Sequence, residues 1–184
     1  MNGPILSIIT VNFNNNLGLL KTLESVSSQS FSSYEHIIID AGSTDGSRET
    51  IIQYEKENPH LSFWSSESDK GIYDGMNKGI DHAKGQYLYF LNSGDCLSQD
   101  ILAKIPFDGT EYLYGDTILF YKRKTKKRVY PDTLDLIYLS DNSLHHQSCF
   151  IHHTLFKDKR YDINYKIISD WAHCLDRKST RLNS

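Results

Sequence analysis

Short apolar runs alternate with longer amphipathic segments through the first hundred residues of this 184-residue chain. The apolar runs, which are rich in β-branched and aromatic residues, are 5–11, 36–39, 61–64 and 87–91. Between them, apolar residues recur at helical spacing in 19–26, 47–54 and 72–83. Strands buried on both faces of a parallel sheet have this kind of continuous apolar sequence. The alternation therefore predicts right-handed crossovers and a doubly wound, mainly parallel sheet.

The pattern changes after residue 95, where strand-like segments follow one another without helices. Residues 112–114 and 117–121 are typical of strands, and 129–130 is typical of a returning strand. The intervening basic residues, 122–128, are interpreted as the turn. The predicted fold class is thus α/β, with a Rossmann-like sheet and a mixed or antiparallel C-terminal extension.

Length, composition and charge narrow the class of protein. With 39% hydrophobic and 23% charged residues the chain is typical of a globular protein, and its length predicts one domain over residues 1–176. Residues 177–184 are polar and are interpreted as a tail at a truncated or non-native end. The net charge of −3 lacks the positive excess typical of nucleic-acid binding. No signal-peptide pattern and no apolar stretch of membrane-spanning length occurs, which predicts a cytoplasmic protein with reduced cysteines.

Polar side chains follow three of the predicted strands at the point where each strand ends. They are Thr10 and Asn12 after the first strand, the loop 40–47 after the second, and the loop 92–95 after the fourth. Ligands of open α/β sheets bind outside the carboxyl ends of strands, and a hard cation needs few carboxylates when substrate phosphates complete its ligands. Each loop alone is equally consistent with a turn or a helix cap. Their coincidence at one sheet edge favours a site for a metal-bound anion.

Four segments resemble, in order, the motifs of the family 2 glycosyltransferases. They are residues 10–14, 40–47, 69–79 and 91–95. The resemblance covers residues 5–176 and implies the glycosyltransferase-A fold, an inverting mechanism, a nucleoside diphosphate sugar donor carrying UDP, and Mn²⁺ or Mg²⁺ as cofactor. It also implies a nucleotide-binding half, 1–100, and an acceptor-side half, 101–176.

Carried over by motif, the residues expected to bind the donor are Thr10, Asn12, Asp40, Ser43, Asp69, Asn77 and Ser93. Asp69 is expected to contact the base, although an acid at the start of a helix is favourable to the helix dipole in any case. Asp95 matches the last acid of the metal-binding triplet of the family, and Ser93 replaces the first acid. The resemblance therefore implies a lean metal site at Asp95.

Residues 167–171 resemble the segment that holds the general base in these enzymes, which makes Asp170 the predicted catalytic base. Its carboxylate would take the proton of the acceptor hydroxyl as that oxygen attacks the anomeric carbon. Without the resemblance, Ser169 or Asp170 would be interpreted as a helix N-cap. His146 precedes an apolar run and is a candidate ligand of the metal or the diphosphate. The alternative for His146 is a polar residue packed beside a strand.

The predicted function is transfer of a sugar from a UDP-sugar to a hydroxyl of a glycan or lipid-linked acceptor in surface polysaccharide biosynthesis. A non-catalytic nucleotide-sugar-binding domain is the alternative, because the metal site is lean. A nucleotidyltransferase has less support, since no glycine-rich loop with Lys or Arg follows the first strand. The basic run 122–128 is either a contact with the inner face of an anionic membrane or a solvated hairpin tip. Without an apolar partner in its own sequence, the hairpin tip is favoured.

Overall fold

The structure is a computed structural model that describes residues 3–121, 124–142, 144–165, 169–170 and 172. The strands are β1 (Leu6–Asn12), β2 (Tyr34–Asp40), β3 (Leu61–Ser66), β4 (Tyr87–Phe90), β5 (Tyr112–Tyr114), β6 (Thr117–Tyr121), β7 (Lys124–Arg128) and β8 (Cys149–His152). The helices are α1 (Asn16–Ser27), α2 (Ser47–Glu57), α3 (Ile72–His82) and α4 (Leu136–Asp141). Short 3₁₀ turns lie at Leu102–Lys104, His146–Ser148 and His153–Phe156.

The main sheet of this part of the chain has the strand order β3-β2-β1-β4-β8-β5. The first four strands run parallel to one another, whereas β8 is antiparallel to both β4 and β5. This arrangement confirms the predicted fold class, including the antiparallel extension. Because β1 has β2 on one side and β4 on the other, the strand order reverses there. A crevice for ligands is expected outside the carboxyl ends of these strands.

Alternate side chains of the central strands pack on opposite faces of the sheet. Ile37 and Ile39 of β2 belong to the core that contains Met76 and Ile80 of α3. Ile38, between them in sequence, packs with residues of α1 and α2. A strand that is covered by helices on both faces needs apolar residues at every position, which explains the continuous apolar runs in the sequence.

Helix α3 lies very close to β1 because Gly79 has no side chain. A Cβ atom at this position would come within 2.4 Å of Ile9 Cγ2. The helix begins after Gly71, whose φ of 117° is a conformation that glycine adopts without strain. This close contact fixes the first turn of α3, which carries Tyr73, near the carboxyl end of β1.

The basic residues 124–128 form a strand, which corrects the predicted turn over 122–128. β7 pairs antiparallel with β6, with Phe120 opposite Thr125 and Ile118 opposite Lys127, and the two strands form a sheet of their own. Lysine has a low strand propensity, but its aliphatic stem can cover an apolar partner on the next strand. That pairing depends on the neighbouring strand and is not visible in the basic segment itself.

Some predictions concern parts of the chain that the structure does not describe. The tail, 177–184, lies outside the described residues, as do Lys122, Arg123 and most of the segment 167–171. The single domain over 1–176 and its division near residue 100 stay predictions. Within the described residues, no helix has the length and apolar character required to cross a membrane.

Candidate functional site

The floor of the candidate site forms where β1 and β2 end, with Asn12 opposite Asp40. Asp40 is completely buried, and its carboxylate accepts hydrogen bonds from Asn12 Nδ2 (2.7 Å), Ser43 Oγ (2.5 Å), Ser43 N (2.9 Å) and Ser66 Oγ (2.6 Å). Burial alone raises the pKa of Asp40, but the hydrogen bonds from Ser43, Ser66 and Asn12 outweigh it and hold this pKa below its ordinary value. The carboxylate is therefore an anion that fixes Asn12 and Ser43.

Thr10 lies deeper in the sheet than the other predicted donor-binding residues. Its side chain is completely buried, and Oγ1 is 2.9 Å from Nε2 of His36. The other ring nitrogen of His36 is 3.1 Å from the hydroxyl of Tyr54, and burial lowers the pKa of His36 to about 3. The structure thus places the Thr10 side chain in the core and does not bring it to a cavity.

A cavity of about 630 Å³ opens above this floor. This first cavity is lined by Val11, Asn12, Phe13, Ala41, Ser68, Asp69, Gly71, Ile72, Asn92 and Ser93. It includes three of the predicted donor-binding residues, namely Asn12, Asp69 and Ser93. Phe13, which is 64% exposed, adds an aromatic wall that the motif comparison did not assign. A cavity of this size with apolar walls and a few fixed polar groups is typical of small-ligand sites.

The asparagine-rich loop after β1 ties the surrounding loops together. Asn14 adopts a positive φ of 47°, and its Oδ1 accepts a hydrogen bond from the backbone N–H of Thr44 at 2.9 Å. Asn15 caps α1 and donates from Nδ2 to the backbone oxygen of Ser93 at 2.9 Å. The sequence analysis treated this loop only as a turn. The signal for its wider role was the run of side-chain amides, which can bond to several loops at once.

Asn77 lies away from both ends of the first cavity and holds another segment in place. Its Nδ2 donates to the backbone oxygen of Tyr161 at 2.8 Å, and its Oδ1 accepts from the backbone N–H of the same residue at 3.0 Å. This pair of bonds fastens α3 to the chain that leads toward Asp170. The structure does not bring Asn77 together with Asn12 and Asp69, so its predicted donor contact has no support from the geometry.

A second cavity, of about 680 Å³, lies on the other side of the loop 92–95. The first part of that loop, Asn92 and Ser93, lines the first cavity, whereas Gly94 and Asp95 line the second. Further walls come from the 96–105 segment, from β6 and from Gln147. The loop that carries the predicted metal ligand therefore separates two spaces of similar size.

Two carboxylates at this boundary are held by consecutive side chains. Gln147 donates from Nε2 to Oδ2 of Asp95 at 2.9 Å. His146 lies 3.0 Å through Nδ1 from Oδ2 of Asp170, and the Tyr73 hydroxyl donates to Oδ1 of Asp170 at 2.9 Å. Burial and the negative charge of Asp170 raise the pKa of Tyr73, which keeps this hydroxyl protonated as a donor.

His146 uses both of its ring nitrogens within the protein. Nδ1 faces the Asp170 carboxylate, and Nε2 is 2.9 Å from Nδ2 of Asn92. An Nδ1–H tautomer satisfies both contacts, because the ring then donates to the carboxylate and accepts from the amide. In this arrangement no ring nitrogen is available to a cation, so the geometry assigns His146 to Asp170 and not to the predicted metal.

The oxygen atoms near Asp95 suit a hard cation that takes most of its ligands from a substrate. Within the described residues, no group of three or more His, Cys, Asp or Glu side chains is arranged to hold a metal. Asp95 offers one carboxylate, and Oδ1 of Asn92 is buried without a hydrogen-bond partner among these residues. One carboxylate together with diphosphate oxygens is a common ligand set for Mg²⁺. The residues present thus fit a lean metal site.

Residues 7–155 match the profile of the family described as Glycosyl transferase family 2. A PGL/p-HBAD biosynthesis glycosyltransferase of Mycobacterium bovis is 30% identical over 179 residues, which cover 93% of this chain and 68% of that protein. The putative teichuronic acid biosynthesis glycosyltransferase TuaG of Bacillus subtilis is 37% identical over 101 residues, or 55% of this chain and 40% of TuaG. Uncharacterized glycosyltransferases of Mycobacterium tuberculosis are 42% identical over 103 residues, and the chain spans only 38% of their length.

Solved structures support the same fold. The crystal structure of residues 1–349 of Staphylococcus aureus TarS in complex with UDP matches with a TM-score of 0.74 at 18% sequence identity. The match covers 91% of this chain and 53% of the TarS chain. At this identity the likeness establishes the glycosyltransferase-A architecture of the sheet and helices.

Proposed function

The chain belongs to glycosyl transferase family 2, and from this membership we propose that it forms the catalytic part of an inverting glycosyltransferase. The proposed reaction moves a sugar from a UDP-sugar to a hydroxyl of a glycan or lipid-linked acceptor in surface polysaccharide biosynthesis. The observation that carries the proposal is the pairing of Gln147 with Asp95 and of His146 with Asp170. Two consecutive side chains thereby hold one carboxylate suited to a metal and another suited to a proton.

The first cavity is the proposed donor site. Asn12 and Ser43 are fixed by the buried Asp40 anion, so they can bind a nucleoside without first having to be ordered. Phe13 and Ile72 provide apolar walls for a base, and Asp69 provides an acceptor for a base N–H group. UDP as the nucleotide is supported by the TarS complex, which has the same fold, and by the motif resemblance.

Asp170 is the proposed base for the acceptor hydroxyl. The acceptor oxygen forms a bond to the anomeric carbon while the bond from that carbon to the diphosphate oxygen breaks, and Asp170 takes the hydroxyl proton. One displacement of this kind inverts the configuration at the anomeric carbon. Tyr73 and His146 each occupy one side of the carboxylate, which orients it but leaves lone pairs for the proton.

Asp95 is the proposed ligand of a divalent cation, Mn²⁺ or Mg²⁺, which would neutralise the charge that develops on the departing diphosphate. Gln147 holds the orientation of the Asp95 carboxylate through its 2.9 Å hydrogen bond. The second cavity, on the Asp95 side of the loop, is the proposed space for the acceptor.

A metal-dependent thermal shift tests the donor and metal sites together. A ligand at about a hundred times its Kd adds roughly 2.7 kcal/mol to stability, so UDP with Mn²⁺ is expected to raise Tm by roughly 5–10 °C. Asp95→Ala is expected to abolish this shift, whereas Asp158→Asn, an exposed acid elsewhere, is expected to retain it. A full shift without metal, or in Asp95→Ala, would contradict the assignment of Asp95.

The same preparation distinguishes the enzyme from a non-catalytic nucleotide-sugar-binding domain. A screen of UDP-sugars and other nucleoside diphosphate sugars identifies the donor by its metal-dependent shift, and release of the nucleotide then measures transfer or hydrolysis. Binding of a donor without any release of nucleotide, with a range of hydroxyl acceptors, would favour the binding domain.

A further inference from the structure

The β6–β7 hairpin exposes apolar side chains next to a cluster of cations. On β6, Phe120 is 81% exposed and Ile118 is 48% exposed. These two side chains lie on the same face, because residues two apart along a strand point the same way. Tyr121 and Val129 are exposed at the two ends of the hairpin strands. Isolated apolar residues on a surface need no explanation, but several along one short ribbon indicate an interaction surface.

The cations are concentrated in this ribbon although the whole chain is slightly acidic. Six of the 20 Lys and Arg residues lie in the seven residues 122–128, while the net charge of the chain is −3. Of these, Lys124, Lys126 and Lys127 are exposed in the described part of the ribbon. The sequence alone gave no apolar partner to this basic run. The structure supplies one, since β6 pairs with β7 residue by residue.

The base of the hairpin is anchored to the protein, so its orientation is defined. Lys127 Nζ lies 2.7 Å from Oδ2 of Asp116, and Oδ1 of Asp116 accepts the backbone N–H of Tyr130 at 3.2 Å. Tyr130 is itself buried in the core. Lys124 and Lys126, farther from this anchor, extend with Phe120 away from the core. A ribbon with a fixed base and an exposed apolar and basic outer part is suited to a charged interface.

We infer that the β6–β7 hairpin docks this protein on an anionic lipid bilayer. Phe120 and Ile118 enter the boundary between head groups and acyl chains, and Lys124 and Lys126 lie against the lipid phosphates. Amphipathic elements bind membranes in this way, through apolar burial combined with attraction between cations and anionic lipids. Neither contribution alone gives stable binding, which explains why the two kinds of side chain occur together on one ribbon.

This docking would also place the second cavity beside the bilayer. β6 lines that cavity together with Asp95, so a hairpin resting on the membrane brings the proposed acceptor space to the lipid surface. This consequence rests on the proposed function. The docking itself does not, because it requires neither donor nor transfer.

Flotation with lipid vesicles tests the docking directly. The full chain is mixed with vesicles of phosphatidylcholine containing phosphatidylglycerol, or of phosphatidylcholine alone, and the bound fraction is measured at low and high salt. We expect binding to the anionic vesicles only, weakened by salt because exposed charges are screened. Each cation near an anionic surface contributes roughly a fivefold change in partitioning, so Lys124→Gln/Lys126→Gln is expected to bind about 25-fold more weakly.

The apolar contribution has its own variant and its own control. Phe120→Ser is expected to reduce vesicle binding roughly tenfold or more, since a buried aromatic side chain is lost from the interface. Leu17→Ser removes a side chain that is 77% exposed on α1, and Lys56→Gln/Lys157→Gln removes two exposed charges elsewhere. Both controls are expected to bind vesicles as the unchanged chain does.

The outcomes separate the bilayer from other occupants of the hairpin. Equal binding to neutral and anionic vesicles, no binding to either, or the same loss in the controls would overturn the docking. Full vesicle binding by Phe120→Ser together with capture of soluble heparin would indicate a general polyanion surface, and it would also overturn the proposal. Loss of a dimer in the hairpin variants, measured by sedimentation without lipid, would assign the surface to a second copy of the chain. Failure to bind UDP would leave the flotation result intact.

Discussion

At the scale of single residues, the chemistry of the candidate site depends on hydrogen bonds that side chains make to other side chains. Asp40 is a buried anion that orients Asn12 and Ser43, and it has no need to contact a ligand itself. Asp170 is oriented in the same way, by Tyr73 on one oxygen and His146 on the other. In both cases a carboxylate is held before any substrate arrives, which lowers the cost of organising the site.

Asp170→Asn tests the role of this residue in proton transfer. The amide has the same shape and can still accept the Tyr73 hydroxyl, but it cannot take up a proton. We expect UDP binding, measured by thermal shift, to be unchanged and kcat to fall by about 10² to 10⁴. Transfer at the unchanged rate by this variant would exclude Asp170 as the base. Asp158→Asn, which changes an exposed acid, serves as the control and is expected to keep full activity.

At the scale of elements, helix α3 joins the packing of the sheet to the geometry of the site. Its glycine face allows the helix to approach β1, and its first turn carries the Tyr73 side chain that reaches Asp170. Asn77, one turn further on, fastens the helix to the backbone of Tyr161. The position of Asp170 therefore depends on how closely α3 packs on the sheet.

Gly79→Ala is expected to destabilise the protein in spite of the better helix propensity of alanine. The propensity gain is about 1 kcal/mol, whereas overpacking a well-filled core costs about 1–3 kcal/mol. The added Cβ would lie 2.4 Å from Ile9 Cγ2, so the overpacking cost is expected to exceed the gain. Denaturant unfolding measures the difference. Gly115→Ala, where a Cβ would meet no atom within 4 Å, is expected to change stability little. A more stable Gly79→Ala variant would show that α3 can move away from β1.

At the scale of the whole molecule, a buried histidine couples folding to pH. His36 is completely buried between Thr10 and Tyr54, and burial lowers its pKa from 6.5 to about 3. Between these two values the unfolded chain binds a proton at this ring and the folded chain does not. The folded state is therefore fully favoured by this group above pH 6.5 and loses stability as the pH falls toward 3.

His36→Gln measures the size of this coupling. From about pH 6 to about pH 5, above the usual range of carboxylate pKa values, His36 is expected to cost the unchanged chain about 1 kcal/mol of unfolding free energy. The variant is expected to be less stable at neutral pH but to show a slope smaller by that amount. His145 and His152, whose pKa values are also lowered mainly by burial, remain in both proteins and cancel in the comparison. Identical slopes in the two proteins would mean that His36 is protonated in the folded state.

The sequence by itself determined the order of strands and helices in the first hundred residues and the sheet edge where the polar loops meet. It did so because a strand buried on both faces must be apolar throughout, and because parallel strands end at the same edge. The motif resemblance led to the family that the profile match establishes. It also led to Asn12, Asp69 and Ser93, which line one cavity in the structure.

The tertiary structure decided which side chains meet. It placed Thr10 in the core with His36 and turned His146 toward Asp170. It also made a strand of the basic segment that the sequence had suggested was a turn. These outcomes depend on contacts between residues far apart in the chain, and hydrophobic periodicity carries no record of such contacts because it describes only the direction of each side chain relative to its own element.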